Sequence, residues 1–367
     1  LTAPKKVSFD RFDVSEKDSG KTVATAIRTE FPDWSWKKVQ ALVRNRHVQV
    51  SGNLCNDHAR RVRTGEPIKV FKNPLPKPLD SSDVKILYAD PHLVVLEKPA
   101  RITSVRHLRE KDLSQKRRQL QPTLDELVPE ALAFHFKRQN NPDFVPRPID
   151  PPNRSTSAGK IRFTKRPIPR QRAPVFPVHR LDRDTSGIML MARNAATRDK
   201  LVAMFRHHDV DRRYTAIVHG QPEPQTISTW FVRDRGDGLR GSLMNEEGGL
   251  VDLDANPADL PEDAQRAITH VRPLRQLGPN CMVECRLETG RTHQIRIHLA
   301  EAGFPILGES MYWRTRTGQK LIDPDSAPRQ ALHAHACKFT HPISGQEMKF
   351  QSNWPKDLQS WLDELQS

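Results

Sequence analysis

The chain has 367 residues, too many for one small core and suited to two or three domains. Its 59 Lys and Arg outnumber 44 Asp and Glu, and the formal charge of +15 points to a polyanionic partner, most simply nucleic acid. No apolar run approaches membrane-spanning length, and Cys55, Cys281, Cys285 and Cys337 form no Cys-x-x-Cys and no paired framework, so neither a membrane-spanning helix nor a disulfide scaffold is expected. The N-terminus lacks the charged-then-apolar pattern of a signal peptide, so a reducing, cytoplasmic setting is expected. The chain opens on Leu1 rather than Met, and a short upstream piece is expected to be missing.

Residues 1–19 are polar and expected to be loosely ordered. A compact module begins at Lys21, where Val23, Ile27 and Phe31 recur every four residues and mark a helix. Ser35 is placed to cap a second helix, with Trp36, Val39, Leu42 and Val43 on its apolar face and Lys37 and Arg44 opposite. Short strands are expected at 47–50 and 68–71, with turn signals at Ser51-Gly52-Asn53 and Thr64-Gly65-Glu66. This order, and the string from Val39 to Val70, resembles the small S-four-like RNA-binding domain first seen in a ribosomal protein. The resemblance implies RNA contacts from Lys37, Lys38, Arg44 and Arg46. Where that family's pattern has a Ser-Arg pair at the start of the second helix, this chain has Ser35-Trp36. The domain is placed at 20–72, and Pro74, Pro76 and Pro78 make 73–83 a stiff linker.

Residues 84–99 read as a hairpin, with Lys85 to Tyr88 and Leu93 to Leu96 as strands around Asp90-Pro91-His92. Residues 122–136 can form a helix with Leu124, Leu127, Leu132 and Phe136 on one side. The stretch 137–174 is rich in Pro, Arg, Asn and Ser and poor in apolar residues. A flexible basic insertion is expected there, with arginines free to reach an RNA backbone.

The chain is organised around 177–192. A buried strand is expected at Ile188 to Met191, preceded by the polar turn Asp184-Thr185-Ser186-Gly187, so His179, Arg180 and Asp182 stand at the mouth of a hairpin. The string His179-Arg180-Leu181-Asp182-x-x-Thr185-Ser186-Gly187 resembles the signature of the RluA-type pseudouridine synthases, in which the Asp is the catalytic residue. The hairpin ending in Glu97-Lys98-Pro99 resembles that family's first motif, with Arg101 near the place where a Gly is usual.

Farther along, 195–206 is expected to be helical with Leu201, Val202 and Phe205 buried, and 212–220 to be a strand ending in a turn. The latter matches the family's basic-x-Tyr-x-Ala segment at Arg212 to Ala216. The acidic, Gly-containing stretch 236–265 reads as an excursion, followed by strands at 267–273 and 280–287. Glu288-Thr289-Gly290-Arg291-Thr292-His293-Gln294-Ile295-Arg296 resembles the family's third motif and opens a helix stopped by Gly303. Leu332-His333-Ala334 and Phe339 to Gly345 resemble its C-terminal strands.

Apart from the resemblance, no metal-ligand spacing, phosphate-cradling Gly loop or activated Ser or Cys stands out, which suits a reaction without metal or cofactor. The resemblance assigns Asp182 as the reacting carboxylate, Arg296 as its counter-charge and aiming residue, and Tyr214 as the ring that stacks on the base and helps remove its carbon 5 proton. It implies RNA contacts from His179, Arg180, Arg291, His293 and Gln294. The fold expected is α+β: the S-four-like module, then at 84–361 a mixed α/β catalytic domain on a large, mostly antiparallel sheet. The expected protein is a monomeric isomerase of uridines in structured RNA, ribosomal before transfer RNA. A binding protein of the same fold without activity is the alternative. An aspartic protease, suggested by Asp184-Thr185-Ser186-Gly187, comes third, because it needs a second such loop or a homodimer, and the other candidate loop, Asp18-Ser19-Gly20, follows no apolar strand.

Overall fold

In the structure, a computed structural model, the N-terminal helices begin at their capping residues. The residues described are 9–107, 120–140, 174–313 except 246, 248 and 252, and 327–366. Helix α1 (Val23–Glu30) is capped by the Thr22 side chain, which accepts from the Thr25 N–H, and α2 (Trp36–Arg44) by Ser35, which accepts from the Lys38 N–H. Both helices press Val23, Ile27, Val39 and Val43 onto a four-stranded antiparallel sheet of order β1-β4-β2-β3, made of β1 (Phe9–Asp13), β2 (Val48–Val50), β3 (Asn53–Cys55) and β4 (Pro67–Phe71). Burying each such valine or isoleucine contributes about 1.5–3 kcal/mol, which is what holds so small a unit together.

Two expectations for this unit change, on Phe9–Asp13 and on Trp36, and one strand, β3, adds to those expected after the turn at Ser51-Gly52. Phe9–Asp13 is a strand, not loose chain: its side chains are mostly exposed, so it lacks an apolar pattern, yet Phe9 and Phe12 pack on Phe71 and Phe31. Strand β3 pairs with β2 through Ser51 and Gly52, both at positive φ, a two-residue hairpin turn. Trp36 lies on the exposed side of α2, 48% accessible, with the Arg28 guanidinium 5.4 Å from its ring.

The chain divides into two compact units, Leu1–Asp80 with Arg106–Pro122, and Ser81–Val105 with Thr123–Ser367. The module expected at 20–72 lies within the first.

The second unit is built on an 11-stranded sheet. Its strands are β5 (Lys85–Ala89), β6 (Leu93–Lys98), β7 (Phe176–Pro177), β8 (Ser186–Ala192), β9 (Asp211–His219), β10 (Gln225–Val232), β11 (Gly241–Ser242), β12 (Gln265–Leu277), β13 (Asn280–Leu287), β14 (Leu332–Thr340) and β15 (Glu347–Gln351). The order runs β11-β10-β12-β13-β9-β14-β8-β6-β5, with β15 on β14 and β7 on β8. Every pairing is antiparallel except β8 with β14, so the expectation of a mostly antiparallel sheet holds.

Strand β8 is buried along its whole length, which explains its unbroken apolar run. It packs with Leu93, Val95, Phe339 and Leu201 of α4 (Ala195–Arg206). Val202 and Phe205 are only half-buried. Helix α3 spans Leu124–Asn140, four residues past the expected end, so 137–140 are helical, and the rest of the expected insertion up to residue 173 lies outside the described residues. Helices α5 (Gln294–Glu301) and α6 (Lys356–Gln366) complete the unit.

Candidate active site

The site starts from a joint between three strands. Gly187 faces Ala334 in the parallel β8–β14 pair, and Ala334 faces Tyr214 in β9. A Cβ on Gly187 would lie 2.3 Å from the Ala334 carbonyl oxygen, and its φ is +121°. Only glycine lets β8 approach so closely. This corrects its placement in the turn: the tight turn is 182–185, closed by the Thr185 N–H donating to the Asp182 carbonyl, and Gly187 is already inside the strand.

The loop that carries Asp182 is pinned from several sides. Ser104 Oγ donates to the Leu181 carbonyl at 2.8 Å and accepts the Leu181 N–H. The buried Lys98 ammonium donates to the carbonyls of Pro99, Arg183 and Thr185. Burial pushes Lys98 down to about 7 against the pull of Asp184 and Asp182, and the three carbonyls favour its charged form. Arg329 donates to the Asp184 carbonyl and to Ser186 Oγ, and Gln330 donates to Thr185 Oγ1.

Helix α5 supplies the partner. Arg296 NH1 donates to Asp182 Oδ2 at 3.1 Å, so two motifs 114 residues apart meet. The guanidinium fork, however, does not grip Asp182. Its Nε and NH2 edge is bidentate to Glu309, at 2.6 and 2.9 Å, and only NH1 is left for Asp182. Burial opposes the Arg296 charge, but the hydrogen bonds and charge of Glu309, then Asp182, hold it above its ordinary value. Burial likewise opposes the Glu309 charge, and Arg296 with the N–H groups of Met311 and Tyr312 brings Glu309 below the usual carboxylate range.

His293, at φ +60°, precedes α5 and lies with Nε2 3.8 Å from Asp182 Oδ1. Its Nδ1 is 2.7 Å from the Tyr312 hydroxyl. The Tyr312 ring also lies under Arg296, 5.2 Å from its guanidinium carbon. Tyr214 is buried in β9; burial, opposed by Arg212 and supported by the nearby Asp182 charge, raises its phenol above the ordinary value.

The remaining sequence-assigned residues separate into two groups. Arg180 is exposed and donates to Thr292 Oγ1, while half-buried Arg291 donates from Nε to the Arg266 carbonyl. His179 and Gln294 are engaged inside the fold. The His179 ring stacks on Phe205 at 4.6 Å and its Nε2 accepts the Leu190 N–H; burial, with Arg212 nearby, pushes it down to about 3. Buried Gln294 accepts from Thr289 and from the Arg291 N–H and donates to Ile268 and Thr269. In the first unit Lys37 is exposed, Lys38 sits 4.0 Å over the Trp34 ring, Arg44 donates to Gln40, and Arg46 donates to the Leu75 carbonyl.

Glu309, Tyr312 and Ser104 were not read from sequence. The signal for Glu309 was a carboxylate directly after Pro305-Ile306-Leu307-Gly308, an apolar run where a solvated acid is out of place. Among the described residues no cluster of three or more His, Cys, Asp or Glu could hold a metal ion.

The fold is shared with a solved human structure, RNA pseudouridylate synthase domain containing 4, at a TM-score of 0.51 and 20% identity over 77% of this chain and 92% of that one. A family model described as RNA pseudouridylate synthase matches residues 92–301, and the chain belongs to that family. A ribosomal large subunit pseudouridine synthase D of Zymomonas mobilis is 35% identical over 184 residues, 50% of this chain and 53% of that protein. One of the same name from Nitrosomonas europaea is 25% identical over 363 residues, 96% of this chain and 87% of the relative. The chain spans about half the length of the relatives that it matches at about a third identity.

Proposed function

We propose that the protein converts uridines in structured RNA to pseudouridine, with Asp182 as the reacting carboxylate. The observation that carries the reading is the Asp182–Arg296 pair at 3.1 Å, on a pinned loop that leads into β8, which β14 joins to the Tyr214 strand β9. The bond from ribose to the base nitrogen N1 breaks, the uracil turns, a new bond forms from ribose to carbon 5, and the carbon 5 proton is lost to solvent while N1 takes one up, so the product is an isomer. Asp182 acts on sugar or base, and Arg296 fixes one of its oxygens. Tyr214 is protonated, since its phenol is raised, so it works as a relay: its oxygen takes up the carbon 5 proton as its own hydroxyl proton passes to water, and its ring supports the base. Taking a base out of a structured RNA costs a few kcal/mol, offset by phosphate contacts from Arg180 and Arg291 and by the net charge of +15.

The first unit, with its two capped helices on a small sheet, serves as an S-four-like RNA grip through Lys37 and Lys38. The names of the Zymomonas and Nitrosomonas relatives favour large-subunit ribosomal RNA as the substrate. The protein acts as a monomer in the cytoplasm, the setting expected for four cysteines without a paired framework. Pseudouridine maps of ribosomal and transfer RNA, from cells with and without the gene, test the reading. Loss of at least one large-subunit site is expected. Identical maps would instead make the protein an inactive binder of the same fold.

A further inference from the structure

The residues that bracket Asp182 do not hold themselves in place. Both stand at the start of α5, and both are gripped by one short segment that the family motifs read above leave out. Glu309 takes the Nε and NH2 edge of Arg296, which fixes the guanidinium plane and leaves NH1 aimed at Asp182 Oδ2. The Glu309 side chain is fully buried and turns back to accept the N–H groups of Met311 and Tyr312. That turn brings the Tyr312 ring beneath Arg296 and its hydroxyl to His293 Nδ1 at 2.7 Å.

The Tyr312 hydroxyl has one hydrogen to give. Burial pushes its phenol up to about 12, and burial lowers His293, so a neutral hydroxyl meets a neutral ring. With the hydroxyl donating to Nδ1, the ring hydrogen sits on Nε2, which faces Asp182 Oδ1 at 3.8 Å. That separation is long for a hydrogen bond and closes with a small shift of the ring. The left-handed backbone of His293, an uncommon conformation for a residue with a side chain, holds the ring there.

We propose that residues 309–312 form a positioning element that aims one donor at each oxygen of Asp182, Arg296 through Glu309 and His293 through Tyr312. Glu309 and Tyr312 touch neither base nor sugar in this account; they act through the two residues that they hold. Removing either one leaves the reacting carboxylate in place and blurs its direction. A loss of orientation of this kind slows the chemical step while RNA binding stays intact.

The inference rests on Asp182 being the reacting carboxylate, and its test keeps the two apart. The full chain is given total RNA from cells lacking the gene, labelled with uridine tritiated at carbon 5. Single-turnover tritium release is followed together with RNA affinity. Glu309→Gln keeps the shape and removes the charge; it is expected to slow release about tenfold at unchanged affinity, and to have no further effect on the residual rate of Arg296→Met. Tyr312→Phe keeps the ring under Arg296 and removes the hydroxyl; it is expected to slow release and to be silent in a His293→Asn background. No loss, or equal fold losses in both backgrounds, overturns the proposal. If Glu309→Gln does not fold, the Tyr312 and His293 cycle decides. Release surviving in Asp182→Asn would remove the catalytic reading itself, whereas additive cycles beside an inactive Asp182→Asn remove the positioning element alone.

Discussion

Arg296→Met keeps the bulk of the stem and deletes the guanidinium that stands between two carboxylates. Glu309, whose side chain is fully buried, would then keep only the N–H groups of Met311 and Tyr312. Removing one partner of a buried pair costs about 3–5 kcal/mol, because the remaining charge is uncompensated. At about 2–4 °C per kcal/mol for a domain of this size, the melting temperature should fall by roughly 6–20 °C. Adding Glu309→Gln to Arg296→Met should restore much of that loss, since the fully buried carboxylate is then gone and only the part-exposed Asp182 is left without the guanidinium. Turnover should stay lost in both, because Asp182 has no Arg296 donor in either. Arg296→Lys should recover part of the stability and little turnover, since one ammonium cannot span Glu309 and Asp182 as the fork does. Calorimetry and tritium release measure the two effects separately. An Arg296→Met protein melting within about 2 °C of the parent, or a double variant no more stable than the single one, would refute the reasoning.

Three further outcomes are expected. Gly187→Ala should destabilise the second unit by about 3 kcal/mol or more in denaturant unfolding, because the new methyl meets Ala334 backbone and φ is +121°; an unchanged midpoint would contradict the close-approach argument. Burial lowers His298 to about 3 and His333 to about 4, so unfolding takes up protons as pH falls below about 6.5 and stability should decline from pH 7 to pH 5. A melting temperature that stays flat over that window would show these rings are not held neutral. Lys37→Ala with Lys38→Ala should reduce the slope of log affinity against log salt by about 1–2, and an unchanged slope would place the RNA grip elsewhere.

The parts of the site legible in the sequence are those set by local chemistry. The apolar run of β8, the cap at Ser35 and the stop at Gly303 each act within a few residues. Asp182 and Arg296 were assigned as partners through the motifs, and the fold brings them together. What stayed hidden depends on contacts that exist only once the sheet has formed. Glu309 pairs with Arg296 through a turn between α5 and β14, and a lone Glu in sequence reads as solvated. His179 and Gln294 stand inside the motifs and were read as RNA contacts, yet they satisfy the backbone or side chains of neighbouring strands. Gly187 ends the polar turn in sequence, and only its approach to Ala334 of β14 shows why the position must be glycine. Phe9–Asp13 carries no apolar alternation because it is an edge strand, ordered by β4 and two aromatic contacts.

The catalytic role of one carboxylate is the central claim, and Asp182→Asn tests it most directly. The substitution keeps size and most of the loop's hydrogen bonds, since the loop is held through its backbone by Ser104 and Lys98. Tritium release from carbon 5 should fall to the level without enzyme, with melting temperature and RNA affinity close to the parent. A variant that still releases tritium at a rate near the parent's would contradict the account and move the chemistry away from Asp182.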